Sequence, residues 1–64
     1  MTTLKKGSKG KAVKVWQAIL GNVTIDGDFG PATDKQTRAW QKNHGLTVDG
    51  VVGQYTWTAG LKSL

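Results

Sequence analysis

The segment Ile25–Thr33 (IDGDFGPAT) occurs again 23 positions later as Val48–Thr56 (VDGVVGQYT). Each copy reads apolar residue, Asp, Gly, any residue, apolar residue, Gly, two further residues and Thr. An Asp-Gly pair followed by another glycine is typical of a tight loop, because glycine adopts positive φ angles at little cost and the Asp carboxylate accepts backbone N–H bonds. A segment that occurs twice in 64 residues is an internal repeat.

The residues outside the two loops have the pattern of three short helices. Apolar residues at i, i+3, i+6 and i+7 from Val13 predict a first helix over residues 11–20. Pro31 suits the first position of a second helix over residues 31–43, where no N–H is lost. A third helix is predicted from residue 54 to residue 60 or 61. The chain is therefore predicted to be one all-α domain over residues 1–64, a compact three-helix bundle with two repeated Asp-Gly-x-x-Gly loops.

The segments that precede and connect the helices give further expectations. Leu4 is the one apolar residue of residues 2–10 and should anchor this arm on the body of the domain. Ile25 and Val48 are candidates for a single β-bridge, too short to form a sheet. The pair Trp16-Gln17 recurs as Trp40-Gln41. In each pair we expect the indole to enter the core and the glutamine to hydrogen-bond loop groups that no helix bond satisfies.

Composition indicates the class of partner. Nine Lys and Arg residues against four Asp give a formal net charge of +5, which favours anionic partners such as nucleic acid, acidic lipid or a bacterial wall polymer. Lys35, Arg38 and Lys42 should form a basic stripe on one face of the second helix. A charged helix face is more often simply solvated. No stretch approaches the roughly 20 apolar residues of a membrane span.

Metal binding and catalysis are not expected. Asp26 and Asp28 are spaced like calcium ligands, but Gly30 stands where an EF-hand has its third ligand, so a structural turn role is favoured. His44 lies at a helix end and is interpreted as a capping residue. The chain has no Cys and no Glu, and three of its four Asp residues lie in or beside the loops. A glycosidase requires two carboxylates across a substrate cleft, which a domain this small hardly builds. We therefore predict no catalytic residue, no metal and no cofactor.

The sequence resembles the three-helix peptidoglycan-binding domain found on bacterial and phage cell-wall lytic enzymes. The resemblance implies a non-catalytic module that targets a lytic enzyme, such as a phage endolysin or autolysin, to the wall. It departs from the family where Trp16 and Trp40 replace Leu and Phe, where Gln36 and Thr37 replace smaller or aliphatic residues, and where Gln54 replaces Pro. The resembling segments span nearly the whole chain: residues 4–10, 12–13, 16–17, 20, 26–33, 39–41, 45–53 and 56–57.

The alternative hypothesis for the function is a DNA-binding three-helix domain. It is disfavoured because the third helix is short and has Tyr55, Trp57 and Leu61 where a recognition helix needs Arg, Asn or Gln. The expected partners are peptidoglycan, through its glycan, its stem peptide or both, with teichoic acid as a possible further ligand and a catalytic lysin domain or subunit. Neither membrane nor nucleic acid is an expected partner.

The binding site is predicted at the second loop and the start of the third helix. Helix N-termini offer unpaired N–H groups, which suit carboxylates such as those of a stem peptide. Gln54, Tyr55 and Trp57 lie within one turn there, and Asp28 and Phe29 of the first loop are predicted to form the opposite wall. The alternative is that Phe29 and Trp57 are core residues and that the other three are ordinary surface residues.

The cell wall, on the extracellular side, is the expected location. The first residues, MTTLKKG, lack the apolar core of a signal peptide. Export would therefore require holin-dependent release, as for phage lysins, or an upstream segment.

Overall fold

The computed structural model describes residues 2–64, which form a bundle of three helices. Helix α1 spans Lys11–Leu20, α2 spans Pro31–Asn43 and α3 spans Gln54–Lys62. The predicted all-α class and the bounds of the first two helices are confirmed. The third helix ends one or two residues later than predicted, since the Ser63 N–H still bonds to the carbonyl oxygens of Ala59 and Gly60.

Each helix starts at a glycine that has no side-chain cap: Gly10, Gly30 and Gly53. In all three cases the carbonyl of that glycine accepts the first helical N–H bond, at 2.9–3.2 Å. Gly30 and Gly53 have nearly the same extended backbone, with φ of −98° and −97°. The two loops therefore lead into α2 and α3 with the same geometry.

The N-terminal arm, residues 2–10, lies across both loops. Leu4 forms an antiparallel bridge with Val52 of the second loop, with N–O distances of 3.1 and 2.8 Å. Further along the arm, Lys9 bridges Asp28 of the first loop. The prediction that Leu4 anchors the arm is confirmed, because its side chain is buried in the core. The arm thus joins the two copies of the repeat.

The predicted bridge between Ile25 and Val48 is wrong. Both side chains project into solvent, with 55% and 47% of their surface exposed. The backbone pairing that the loops make is instead with the arm, at Asp28 and Val52. Among residues 2–64 there is no regular strand.

The core is formed by six apolar side chains contributed by the arm, two helices and both loops. Trp16 lies at its centre, with the Trp40 ring at 5.1 Å and the Trp57 ring at 5.7 Å, both edge to face. Such aromatic pairs are favourable because the positive edge of one ring meets the negative face of another. The buried set is Leu4, Val13, Trp16, Phe29, Val52 and Trp57.

Positive φ angles occur in both loops at the glycine after the Asp, as predicted. Gly27 has φ of 75° and Gly50 has φ of 72°, a conformation that costs a residue with a Cβ roughly 1 kcal/mol or more. A Cβ at Gly27 would also lie 3.3 Å from the Gly10 carbonyl oxygen, and one at Gly50 would lie 2.5 Å from the Asp34 carboxylate.

We expect Gly27→Ala and Gly50→Ala each to lower the free energy of unfolding by about 1 kcal/mol or more, measured by chemical denaturation. Gly53→Ala is the control, because Gly53 has an extended φ and open space around its Cα. If both loop variants unfold at the same midpoint as the control, then the positive φ angle is not the reason why these positions have glycine.

Candidate functional site

Gln17 and Gln41, each buried at the centre of one repeat, organise the loops. The Gln17 amide nitrogen donates to the Asp26 carboxylate at 2.9 Å and to the Asp28 carbonyl at 3.1 Å, while its oxygen accepts the Gly27 N–H at 2.9 Å. Gln41 makes the equivalent bonds in the second loop, to the Asp49 carboxylate, the Val51 carbonyl and the Gly50 N–H. The predicted role of the glutamines is confirmed.

The aspartates of the two loops complete these networks. One carboxylate oxygen of Asp26 also accepts the Asp28 N–H, and Asp49 accepts the Val51 N–H in the same way, both at 2.9 Å. The hydrogen bond from the Gln17 amide, aided by the Asp28 backbone N–H, lowers the pKa of the Asp26 carboxyl below its ordinary value. These carboxylates therefore act as structural acceptors of the turn, as the sequence suggested.

The second loop and the start of α3 enclose an open cavity of about 350 Å³, which we call the second-loop cavity. Tyr55 forms one side and is 77% exposed, although it is an aromatic residue. Gln54 beside it is also exposed. Leu46, Thr47 and Asp49 also line the cavity. The cavity combines an apolar ring face with hydroxyl, amide and carboxylate groups, the mixture that ligand sites use to fix an orientation.

The first loop and the start of α2 enclose a separate cavity of about 250 Å³, the first-loop cavity. Asp28 lines this cavity and not the second-loop cavity. The predicted arrangement, in which Asp28 forms the opposite wall of a single site, is therefore not what the structure has. Its carboxylate forms an exposed ion pair with Lys9 at 3.1 Å.

Phe29 and Trp57 are core residues, which corrects their prediction as ligand-binding residues. Their side chains are 0% and 1% exposed, because the N-terminal arm covers them. Gly7 and Ser8 bond the backbone of Phe29, and the Trp57 indole N–H donates to the Thr2 carbonyl oxygen at 2.7 Å. Leu46, Thr47 and Asp49 also line the second-loop cavity, and the sequence analysis did not identify them. The signal was available, because a tight loop brings its first residues close to Gln54 at its end.

The basic stripe on α2 is exposed. Arg38 pairs with Asp34, one turn earlier, at 3.3 Å. Within residues 2–64, Lys35 and Lys42 have no carboxylate partner within 4.0 Å. His44 ends the same helix, with its Nδ1 2.8 Å from the Trp40 carbonyl oxygen and its ring stacked on the Trp40 indole. The capping position predicted for His44 is confirmed.

The sequence of residues 10–59 matches the family model described as "Putative peptidoglycan binding domain". The chain belongs to this family. A curated relative, the zinc D-Ala-D-Ala carboxypeptidase of Streptomyces albus G, is 37% identical over 62 residues. That alignment covers 86% of this chain and 24% of the enzyme, so the domain spans about a quarter of the relative's length.

Solved structures agree with this assignment. The Burkholderia AP3 phage endolysin superposes with a TM-score of 0.90 at 35% identity, covering 92% of this chain and 24% of that one. The SleB N-terminal domain superposes with a TM-score of 0.93 at 30% identity, covering 97% of this chain and 92% of that domain. The resemblance inferred from the loops is thus confirmed. None of the helices in residues 2–64 has the length and apolar character that a membrane crossing requires.

Proposed function

We propose that this domain binds the peptidoglycan of the bacterial cell wall without catalysing a reaction, and that the second-loop cavity is its principal contact. The family assignment supports wall binding. The observation that favours this cavity is Tyr55, an aromatic residue that lines it and is 77% exposed. An exposed aromatic face beside hydrogen-bonding groups suits a sugar ring with its hydroxyl and acetamido substituents.

The start of α3 adds a second recognition element to the same cavity. The first N–H groups of a helix have no partner within the helix, and α3 has no side-chain cap. Unlike α2, which begins with Pro31, α3 begins with Gln54 and keeps its first N–H. A carboxylate or carbonyl of the stem peptide is the complementary group. Tyr55 stacking on glycan and α3 binding peptide would together recognise a muropeptide.

In the cell, the domain would attach a catalytic domain or subunit to the wall. An amidase, muramidase or peptidase is the proposed partner, with a phage endolysin as the preferred parent because the resemblance includes such enzymes. Many weak sites on an insoluble polymer retain such a module by multivalency. The domain would act at the bacterial cell wall.

The test of the cavity is the double variant Gln54→Ala/Tyr55→Ala, assayed by co-sedimentation with purified peptidoglycan sacculi. We expect binding to fall several-fold, while the helical circular dichroism and melting midpoint stay close to those of the parent, because both side chains are exposed. The double variant Thr58→Ala/Leu61→Ala, on the exposed part of the same helix, is the control. Full binding by folded Gln54→Ala/Tyr55→Ala would move the site elsewhere.

A gel shift with duplex DNA beside the sacculus assay tests the alternative partner class. The solvent-exposed residues of α3 are Gln54, Tyr55, Thr58, Leu61 and Lys62, with one cation among them, so we expect no DNA retention at physiological salt. Retention on DNA together with no binding to sacculi would replace the proposal by a nucleic-acid function.

The unpaired cations of α2 support a secondary proposal, contact with anionic teichoic acid. If Lys35 and Lys42 bind such a polymer, retention on native wall should fall steeply with salt, and the double variant Lys35→Gln/Lys42→Gln should bind native wall several-fold less. Lys5→Gln/Lys6→Gln removes the same charge from the arm and is the matched control. Equal retention on native and teichoic-acid-stripped sacculi at both low and high salt would show that the stripe is only solvated.

A further inference from the structure

The two cavities occupy the same positions of the internal repeat. Subtracting 23 from the number of each residue that lines the second-loop cavity gives, for eight of its nine residues, a residue that lines the first-loop cavity. Every residue of the first-loop cavity has such a counterpart. The repeat therefore duplicates a surface cavity as well as a loop.

The equivalence extends to backbone and side-chain geometry. The loop glycines have φ of 75° and 72°, and the glutamines of α1 and α2 make matching bonds into the loops. In each cavity one carboxylate oxygen of the Asp, on Asp26 or Asp49, is used within the turn, while the other accepts no hydrogen bond from residues 2–64. A threonine, Thr24 or Thr47, also lines each cavity.

These shared groups define the ligand chemistry common to both cavities. A free carboxylate oxygen accepts a hydrogen bond, and a threonine hydroxyl both donates and accepts. Hydroxyl groups and amide N–H groups are the complementary donors. A polymer unit that is rich in hydroxyls and amides, such as an N-acylated sugar with its attached peptide, fits either cavity.

The cavities differ at four matched positions: one is the conservative exchange of Leu46 for Val23, and the other three weaken the first cavity. Ala32 replaces the aromatic wall that Tyr55 gives the second cavity, and Pro31 replaces Gln54 and removes an N–H donor. Asp28 replaces Val51, and its carboxylate is paired with Lys9 at 3.1 Å. The first-loop cavity is also the smaller, at about 250 against 350 Å³.

We propose that the first-loop cavity is a second, weaker subsite for the same repeating wall unit, so that one domain binds two units of the polymer. The proposal rests on the proposed function, since it assumes that the second-loop cavity binds peptidoglycan. Both subsites lie on a body whose longest dimension is 26 Å, so they are close enough for neighbouring units of one network. Simultaneous occupation raises retention on the polymer by effective concentration, with no further contact.

The test uses the same substitution at equivalent positions. Thr24→Trp fills the first-loop cavity and Thr47→Trp fills the second; both threonines are exposed and make no side-chain hydrogen bond within residues 2–64. Binding of the whole domain is measured to intact sacculi and, by calorimetry, to the soluble disaccharide-peptide released from sacculi by a muramidase. Melting midpoints verify that each variant is folded.

We expect the parent domain to bind two soluble units, and each single variant to bind one. On sacculi, Thr47→Trp should lose more retention than Thr24→Trp, and the double variant should lose nearly all of it. Ala32→Tyr gives the first-loop cavity an aromatic residue at the position of Tyr55, and it should tighten binding to sacculi several-fold. This variant tests the first-loop cavity by improving it and not by blocking it.

A parent that binds sacculi with one soluble unit per domain, together with unchanged binding by Thr24→Trp and Ala32→Tyr, would overturn the second subsite and leave the proposed function intact. A parent that is not retained on sacculi at all would overturn the proposed function itself. The two failures are thus distinguishable in one set of measurements.

Discussion

Gln17→Glu is expected to remove most of the stability of this domain at neutral pH. The parent amide donates to the Asp26 carboxylate, the Asp28 carbonyl and the Thr33 hydroxyl. A carboxylate in its place still accepts the Gly27 N–H but has no proton to donate, so its other oxygen would face these three acceptors unpaired and lie against the charge of Asp26. We expect a loss of about 3 kcal/mol or more, since a buried group without its partners costs its full desolvation.

That loss is large against the total for a chain of 64 residues. Domains have roughly 0.05–0.15 kcal/mol of stability per residue, which gives about 3–10 kcal/mol here. We therefore expect a folded fraction that is visibly reduced at 25 °C and a melting midpoint far below that of the parent. Circular dichroism with urea denaturation measures both.

The pH dependence distinguishes this mechanism from simple loss of packing. Burial and the nearby Asp26 would raise the pKa of the introduced carboxyl in the folded state above its unfolded value of about 4.3. The folded variant then binds more protons, so its deficit is greatest at neutral pH and shrinks as pH falls towards that unfolded value. The parent behaves oppositely in acid, because the pKa of Asp26 is lowered by folding and the stability it contributes is lost as that carboxylate protonates.

Gln36→Glu is the matched control, with the same change of charge and shape on the neighbouring helix. The Gln36 side-chain oxygen accepts one exposed bond, from the Asn22 amide at 2.9 Å, and a carboxylate keeps that bond. We expect a change within about 0.5 kcal/mol. If Gln17→Glu were as stable as this control at neutral pH, the glutamine network would not be what holds the first loop.

The helices, the loops and the glutamine network were predictable because their signals are local or repeated. The i, i+3 spacing from Val13, the proline at the start of α2 and the two Asp-Gly pairs each specify backbone within a few residues. Gln17 and Gln41 follow a tryptophan in both helices, and the recurrence indicated a common role. The structure confirms these elements because each depends on contacts within one copy of the repeat.

The path of the arm was not predictable, and it decides which aromatics are accessible. Thr2 and Trp57 are 55 residues apart, yet the carbonyl of one accepts the indole N–H of the other. Periodicity does not encode a contact at that separation. Apolar character in both copies was not a sufficient guide either: Phe29 and Val52 are buried, whereas Ile25 and Val48, also apolar in both copies, are exposed. The arm covers the first pair and leaves the second pair in solvent.

The site prediction was limited in the same way. Gln54 and Tyr55 follow directly from the loop and lie together at one cavity. The predicted place of Asp28 on the opposite wall of that cavity would require the two loops to face each other. The arm instead lies across both loops, and each loop encloses a cavity with the helix that follows it. Relative placement of two local units is a tertiary property, which repeat spacing alone leaves open.

Trp16→Ala is expected to be the most destabilising single truncation of the core. The indole is fully buried and packs edge to face against Trp40 and Trp57, and its N–H donates to the Thr37 hydroxyl at 2.9 Å. Removing it leaves a large cavity and deprives the buried Thr37 oxygen of its donor, at a cost of about 3–5 kcal/mol. Such a loss can unfold the domain, so Trp16→Phe, which keeps a ring but not the N–H, provides a second measurement with an expected loss of about 1–2 kcal/mol.

Trp40→Ala is the comparison that separates core from periphery within the same aromatic cluster. Trp40 is half-buried and stacks on His44, whose exposed ring forms one side of the contact. Because part of the indole already contacts water, its removal should cost about 2 kcal/mol, clearly less than the loss for Trp16. The free energies of unfolding of the three variants are measured by urea denaturation, with one common m value applied to their midpoints. Equal losses at the two positions, or a greater loss for Trp40, would mean that Trp16 is not the residue around which the bundle packs.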